Sequence, residues 1–224
     1  MTAKFFIIIK NESKRVPNKN FKLLGALPLW EHLITELKNE DVYIDTDSEL
    51  LLENCKKYDY VKAYPREQKF ICYENDNSID LSPALMMIEN FLDQYVEDEN
   101  EIIVTPHVTS PFIKKETIKR AALNLDQGYD SVQACVNHQE FCYFKGEPIN
   151  FNPNVVQKTQ ELKPVQMGNG AFFIFTKKIF KRYKNRTGQN PYFYPIEYPE
   201  SIEIDNLEHL EVAEAYYARK HRNN

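Results

Sequence analysis

Residues 4–9 read Lys-Phe-Phe-Ile-Ile-Ile, and the eleven residues that follow them, Lys10–Asn20, are mostly polar. A short run rich in β-branched and aromatic side chains is typical of a fully buried strand. The segment after it contains one proline and has neither helical nor strand periodicity. This stretch therefore predicts a buried strand that carries a polar loop at its carboxyl end.

Downstream of this loop, short apolar runs alternate with segments whose apolar residues recur at helical spacing. The predicted strands of the first half are Asp41–Ile44, Val61–Tyr64 and Glu101–Thr105. The predicted helices are Pro28–Leu37, Thr46–Lys57, Leu81–Leu92 and Lys115–Leu125, and residues 65–77 are predicted to be irregular. This alternation predicts an α/β fold with a doubly wound, mostly parallel sheet. Ligands bind such sheets beyond the carboxyl ends of the strands, where the first loop lies.

The second half of the chain is less regular. Its predicted strands are Asp130–Cys135, Ala171–Phe175 and Ile202–Ile204, and its predicted helix is Leu207–Arg219. Residues 137–167 have weak periodicity and many polar side chains, which indicates a small excursion, a flap or a dimerisation arm. No change in composition marks a linker, so we predict a single domain over residues 1–224 with this arm at about 137–167.

Composition excludes several classes of protein. The chain has 224 residues, of which 42% are hydrophobic and 27% charged, as in ordinary globular proteins with a buried core. The net charge of -5 argues against a general nucleic-acid-binding protein. No apolar run is long enough to span a membrane, and the four cysteines form no CxxC pair. We therefore expect a cytoplasmic protein with buried free thiols and no nucleic-acid or membrane partner.

The first loop is strongly cationic and also carries a hydroxyl group. Its charged and hydroxyl-bearing residues are Lys10, Glu12, Ser13, Lys14, Arg15 and Lys19. Cations at this position can stabilise the charge that builds on a leaving pyrophosphate, and a hydroxyl can orient the phosphates. On charge alone, a solvated surface turn is the simpler interpretation. The position directly after a buried strand favours a phosphate site.

The order of residues in the loop resembles the signature of a known enzyme family. Residues 13–20, Ser-Lys-Arg-Val-Pro-Asn-Lys-Asn, resemble the signature loop of the CMP-sugar synthetases, which are the acylneuraminate and 3-deoxy-manno-octulosonate cytidylyltransferases. Further similar segments follow in the same order at residues 23–29, 45–49, 109–111, 130–132, 169–171 and 203–214. The resemblance covers nearly the whole chain and implies a Rossmann-like nucleotidyltransferase fold.

The resemblance also implies an activity and a set of site residues. The family joins CTP to a 2-keto-3-deoxy sugar acid, either a nonulosonic or an octulosonic acid, and releases pyrophosphate. By this resemblance the expected catalytic residues are Lys10, Arg15, Lys19 and Asp205. The expected nucleotide-binding residues are Ser13, Lys14, Asn20, Asp45, Thr109 and Ser110. A homodimer formed through the irregular middle region is implied as well.

Two acidic residues near the end of the chain are candidates for a metal site. Glu203 and Asp205 are two positions apart, and on a strand such residues point to one face. Carboxylate oxygens suit Mg²⁺ bound with a nucleotide. From spacing alone, a solvated strand end with Asp205 capping the next helix is the simpler interpretation. The resemblance favours Mg²⁺ as cofactor, with Asp205 as the firmer ligand.

Three polar residues are candidates for acceptor binding. Gln166 and Asn169 flank the glycine before a predicted strand, and His107 lies near the end of another strand. A lone histidine is more often structural than functional. Asp47, or alternatively Ser48, is predicted to cap the second helix.

The first loop departs from the family pattern at three positions. Lys10 replaces an arginine, and Asn11 and Glu12 replace two glycines that would let backbone N–H groups approach phosphates. Glu12 also brings a negative charge to the loop. These differences leave two alternatives open: a nucleotidyltransferase with a different nucleotide or acceptor, and a catalytically weak homologue that binds nucleotide. The sequence names neither the acceptor nor a general base.

Overall fold

Seven strands form one central sheet in the computed structural model, which describes residues 3–13, 15–76 and 82–222. The strands in chain order are β1 (Ala3–Ile9), β2 (Leu23–Leu24), β3 (Leu27–Pro28), β4 (Asp41–Thr46), β5 (Val61–Pro65), β6 (Ile102–Pro106), β7 (Ser131–His138), β8 (Tyr143–Phe144), β9 (Glu147–Pro148), β10 (Val165–Thr176) and β11 (Pro191–Pro195). The helices are α1 (Leu29–Glu36), α2 (Glu49–Cys55), α3 (Gln68–Asn75), α4 (Pro83–Tyr95), α5 (Lys115–Ala122), α6 (Lys177–Tyr183) and α7 (Leu207–His221).

The order of strands in the sheet is β11-β7-β10-β6-β1-β4-β5. All neighbouring pairs are parallel except those of β10, which runs antiparallel to both β6 and β7. The short strands form two separate hairpins, β2 with β3 and β8 with β9. The predicted doubly wound, mostly parallel sheet is confirmed.

The first strand is apolar throughout because both of its faces are covered. Phe5, Ile7 and Ile9 pack with residues of α1, α2 and α5 in one core. Phe6 points to the other face, where its ring stacks on that of Phe91 in α4 with 4.3 Å between centroids. A strand covered on both sides loses the alternation of polar and apolar residues, which explains its sequence.

Three elements of the sheet and its helices were not predicted. Helix α3 lies in residues 65–77, which were predicted to be irregular, and α6 and β11 lie between two predicted elements. The buried Phe70 anchors α3 to the core that contains Phe91. Strand β11 begins and ends with proline and lies at the edge of the sheet, where a missing N–H group is tolerated.

Two predicted elements differ in kind or extent. Residues 202–204 form no strand: the N–H of Ile204 donates to the carbonyl of Thr109 at 2.7 Å, outside any sheet ladder. Helix α5 ends at Ala122 and continues as a 3-10 helix, Leu123–Gln127. The first residue of the predicted helix Leu81–Leu92 lies outside the described residues, and α4 begins at Pro83.

The irregular middle segment leaves and rejoins the sheet at one edge. β7 ends at His138, and β10 begins at Val165, which pairs with His138. The residues between them contain the β8–β9 hairpin and a 3-10 helix, Thr159–Glu161. Apolar side chains are exposed on this segment, with Tyr143 and Phe144 at 61% and 64% exposure. Of the described helices, none is long and apolar enough to cross a lipid bilayer.

The cysteines occur as thiols. Cys55 and Cys135 are buried, Cys142 is half-buried and Cys72 is exposed, and all four are free. The prediction of buried free thiols is confirmed for Cys55 and Cys135 and is wrong for the exposed Cys72.

Candidate active site

A cavity of about 390 Å³ opens at the carboxyl ends of β1 and β6. Its polar lining residues are Lys10, Ser13, Arg15, Lys19, Asn20, Glu74, Thr105, His107, Thr109, Arg186, Glu203 and Asp205. Nine of these were predicted as site residues from the sequence. The topology thus brings together the first loop, the turn after β6 and the segment before α7.

The first loop is folded back on itself. The buried side chain of Asn20 donates from Nδ2 to the carbonyl of Lys10 at 2.8 Å, which joins the two ends of the loop. Val16 is fully buried beneath it, and Asn18 adopts a left-handed conformation before a 3-10 helix, Lys19–Phe21. The loop is therefore held by packing and hydrogen bonds, unlike a solvated turn. Lys14 lies outside the described residues.

Two cations of the loop converge on one carboxylate. Arg15 Nη2 lies 2.8 Å from Asp205 Oδ1, and Lys19 Nζ lies 3.5 Å from the same oxygen. Lys19 also donates to the carbonyl of Ile204 at 2.8 Å. Burial lowers the pKa of Lys19, and the charge of Asp205 opposes this effect. This cluster of opposite charges lies where a polyphosphate and its counter-ions would meet.

A second network fixes the start of the loop. Lys10 Nζ lies 3.3 Å from Glu74 Oε2 on α3, and Arg66 Nη1 lies 3.0 Å from the same oxygen. Arg66 is fully buried, and its Nε donates to Asp45 Oδ1 at 2.6 Å. Asp45, expected at the nucleotide, is therefore the buried partner of Arg66 and does not line the cavity. Sequence analysis did not identify Arg66 or Glu74.

The residues that replace the family's glycines are accommodated without strain. The N–H of Asn11 donates to Asp47 Oδ1 at 2.6 Å, and neither Asn11 nor Glu12 adopts a left-handed φ. The side chain of Glu12 is exposed to solvent.

The assignment of Asp47 as a helix cap is wrong: Ser48 caps α2, its Oγ accepting from the N–H of Leu51 at 3.3 Å.

Glu203 and Asp205 reach the cavity because their neighbours are buried. Ile202 and Ile204 pack against α7 in an apolar cluster, so the two acidic residues point the other way, into the cavity. The cap of α7 is Asn206, whose side chain accepts from the N–H of His209, so the alternative of Asp205 as cap is wrong. Both carboxylates were predicted to point to one side, and both line the cavity, although the segment that carries them is not a strand.

A glycine of β10 makes room for one of these carboxylates. Glu203 Oε2 accepts from the N–H of Gly170 at 3.1 Å. A Cβ atom at position 170 would overlap Oε1 of the same carboxylate. Glycine at this position therefore allows Glu203 to lie against the backbone of β10.

An arginine and a histidine of the cavity lining form a third group with a buried aromatic ring. Arg186 Nη1 lies 3.2 Å from His107 Nε2, and the guanidinium carbon lies 3.8 Å from the ring centroid of Phe173. Burial and the charge of Arg186 lower the pKa of His107 to about 4, so the imidazole is neutral at pH 7. Because arginine is always a donor, His107 Nε2 accepts and its proton is assigned to Nδ1. The polar sequence around Arg186 gave no signal for this residue.

The remaining predicted residues do not line the cavity. Ser110 is fully buried behind it, and Asn169 uses both ends of its amide on the backbone, donating to Ser201 at 3.1 Å and accepting from Ala171 at 2.8 Å. Gln166 is exposed and donates to the carbonyl of Phe193 at 3.4 Å. The amide of Asn169 thus fixes the segment that carries Glu203.

The acidic residues suit a metal that arrives with a nucleotide. No group of three or more histidine, cysteine or acidic side chains forms a metal cage within residues 3–13, 15–76 and 82–222. Mg²⁺ in nucleotide sites takes one or two carboxylates and completes its shell with phosphates and water. Asp205, one-third exposed, and Glu203 supply that number of carboxylates in one cavity.

Comparisons with known proteins agree with this architecture. A sequence model described as cytidylyltransferase matches residues 7–221. The chain is 26% identical over 215 residues to N-acylneuraminate cytidylyltransferase of Streptococcus agalactiae serotype V, covering 88% of this chain and 48% of the relative. It is 27% identical over 213 residues to N-acylneuraminate cytidylyltransferase A of Danio rerio, covering 89% and 47%. The chain thus spans about half the length of these curated relatives.

Solved structures show the same fold at lower identity. CMP:2-keto-3-deoxy-manno-octonic acid synthetase complexed with CTP superposes with a TM-score of 0.67 at 14% identity, covering 98% of this chain and 100% of that one. A 4-diphosphocytidyl-2C-methyl-D-erythritol synthase from Anaerococcus prevotii gives a TM-score of 0.62 at 13% identity, covering 96% of each chain. Since the family model covers nearly all of the sequence, the chain belongs to the cytidylyltransferase family.

Proposed function

We propose that this protein transfers CMP from CTP to a 2-keto-3-deoxy sugar acid, a nonulosonic or octulosonic acid, and releases pyrophosphate. The observation that carries the proposal is that Arg15, Lys19 and Asp205 meet at the carboxyl end of β1. The same cavity is also lined by Arg186 and His107. Family membership and the names of the relatives support cytidine and an acidic sugar.

In this reaction the anomeric hydroxyl oxygen of the acceptor forms a bond to the α-phosphorus. The bond between the α-phosphorus and the bridging oxygen of the β-phosphate breaks, pyrophosphate leaves with that oxygen, and the hydroxyl proton passes to solvent. Lys10, Arg15 and Lys19 are the cations placed to stabilise negative charge on the leaving pyrophosphate. Arginine can hold two phosphate oxygens at once, whereas each lysine acts as a point charge.

Asp205 and Glu203 would hold Mg²⁺ in this cavity. The ion would neutralise phosphate charge and polarise phosphoryl oxygen. Arg15 and Lys19 both pair with Asp205. We infer that nucleotide binding exchanges these partners, with the cations turning to phosphate oxygens.

Release of pyrophosphate from each of the four nucleoside triphosphates tests the proposal. N-acetylneuraminic acid and 3-deoxy-manno-octulosonic acid serve as acceptors, with Mg²⁺ present. We expect CTP with one of these acids to give the highest kcat/KM. If CTP is among the poorest nucleotide substrates, the cytidine assignment is wrong. If CTP binds but neither acid causes pyrophosphate to be released, the alternative of a catalytically weak homologue is favoured.

A further inference from the structure

Arg186 is a cation for which the described part of the chain supplies no carboxylate at ion-pair distance. Its Nε atom is buried and has no hydrogen-bond partner. Its contacts are neutral: His107 accepts from Nη1, and the face of Phe173 lies beneath the guanidinium. Burial lowers the pKa of Arg186 to about 10, so the side chain stays charged at neutral pH.

Arg186 is half-buried, with its Nε atom fully covered, and a charge held partly out of water without a partner of opposite charge destabilises a folded protein. Contact with the ring of Phe173 recovers part of this cost through a cation–π interaction. The neutral imidazole of His107 provides one acceptor and no charge. The arrangement is that of a receptor for an anion from outside the chain, because an anion would complete the interactions that the guanidinium lacks.

The position of Arg186 indicates which reactant supplies that anion. Arg186 lines the cavity together with His107, which follows β6. Its guanidinium lies against the ring of Phe173, which belongs to β10. The cations placed for the triphosphate lie on the loop after β1. The nucleotide thus has its own set of positive charges, and Arg186 is left for the second reactant.

We propose that Arg186 binds the carboxylate of the acid acceptor, with His107 and Phe173 holding the guanidinium in position. This assignment rests on the proposed function and deepens it, because it names the residue that selects acidic over neutral sugars. A planar guanidinium matches the geometry of a carboxylate better than a lysine does.

Calorimetry without turnover tests the assignment. N-acetylneuraminic acid, 3-deoxy-manno-octulosonic acid and the methyl ester of each are titrated into the full chain with CTP present and Mg²⁺ removed. We expect the wild-type protein to bind one acid at least about tenfold more tightly than its ester, since only the acid pairs with arginine. Arg186→Met should remove this preference and leave the affinity for CTP within about twofold.

Arg182→Met is the matched control. Arg182 is exposed on α6, and its guanidinium carbon lies 5.2 Å from the ring centroid of Tyr183, so the substitution also removes an arginine from an aromatic ring. It should keep the acid–ester preference. Arg186→Lys, which retains the charge without the planar group, should keep part of it.

Thermal unfolding separates a binding role from a structural role. Methionine can keep the apolar contact with Phe173 while the uncompensated charge disappears, so Arg186→Met should leave Tm unchanged or higher. If Arg186→Met does not fold, the comparison of Arg186→Lys with the wild type decides by the same acid–ester preference.

Two results would overturn the assignment. One is equal binding of acid and ester by the wild-type protein for both sugars. The other is an intact preference in Arg186→Met together with at least a tenfold loss of CTP affinity, which would assign Arg186 to the triphosphate. Selective binding of an acid without pyrophosphate release would contradict the proposed function alone. Release of pyrophosphate without the preference would contradict the assignment alone.

Discussion

At the scale of single residues, Arg15 contributes to the site and little to the fold. Its side chain is 70% exposed and pairs with Asp205. Arg15→Ala should therefore lower kcat by about a hundredfold, as loss of a charge-stabilising donor does, and change the free energy of unfolding by less than about 0.5 kcal/mol. Lys22→Ala, a cation just beyond the loop and outside the cavity lining, is the control. Unchanged kinetics in Arg15→Ala would exclude the phosphate role.

Asp205 connects the cations with the proposed metal. Asp205→Asn removes the charge that Arg15 and Lys19 share and the firmer of the two proposed Mg²⁺ ligands. We expect lower activity and a half-saturating Mg²⁺ concentration raised by about tenfold or more. Asp41→Asn, which loses an acidic group at the opposite end of the sheet, controls for net charge. An unaltered Mg²⁺ titration would remove Asp205 from the metal site.

His107 makes the fold sensitive to acid. Its folded pKa of about 4 lies below the ordinary 6.5, so the unfolded chain binds a proton first as pH falls. The stability that depends on neutral His107 is complete above about pH 6.5 and is lost as pH falls towards 4. Between pH 7 and pH 4 the wild type should lose about 3 kcal/mol more than His107→Gln in urea unfolding.

A second histidine provides the control for this measurement. His138 lies at the end of β7 and is partly exposed. His138→Gln should follow the wild-type dependence on pH. If the stability of His107→Gln depends on pH in the same way as that of the wild type, His107 does not titrate in this range.

The residues of the site differ in how far sequence could identify them. The loop cations and Asp205 were found because their order along the chain resembles that of a family. Arg66 and Arg186 were missed because each acts through partners far away in sequence: Arg66 pairs with Asp45, and Arg186 contacts His107. Such pairs are set by the order of strands, which local patterns do not contain.

At the scale of elements, α3 is joined to the sheet by charge as well as by packing. Arg66 binds Asp45 of β4 and Glu74 of α3, and its side chain is fully buried. Arg66→Met leaves the carboxylate of Asp45 buried without its partner. We expect a loss of about 3–5 kcal/mol in the free energy of unfolding, measured with urea.

Two further variants test the cause of that loss. Lys62→Met removes an exposed cation of β5 that pairs with Asp41, and it should cost less than about 1 kcal/mol. The double variant Arg66→Met/Asp45→Leu removes both buried charges and should recover most of the stability. A loss below about 1 kcal/mol in Arg66→Met would contradict a structural role for the ion pair.

The elements that could be predicted are those in which the spacing of apolar residues matches the residues that are buried. β1 and β6 are short apolar runs covered on both faces, and both were predicted within two residues. Helix α3 was missed because it buries little more than Phe70, so its periodicity is weak. β11 was missed because prolines at its two ends are typical of turns.

At the scale of the whole molecule, we propose that residues 139–164 mediate the homodimer that the family resemblance implies. Tyr143 and Phe144 are more than half exposed there, as an interface would require. Tyr143→Ser/Phe144→Ser should shift sedimentation from dimer to monomer with an unchanged far-ultraviolet dichroism spectrum. Leu123→Ser, at an exposed apolar residue outside this segment, should stay dimeric. A monomeric wild-type protein would contradict the proposal.

The antiparallel course of β10 has a consequence for how such a protein diversifies. Residues 139–164 start and finish on the edge where the cavity opens, and no strand of the central sheet lies within them. Insertion, deletion or exchange of this stretch leaves the strand order and both cores unchanged. One contiguous piece of the coding sequence can therefore vary in length and chemistry and reshape the rim, while the scaffold beneath is inherited intact.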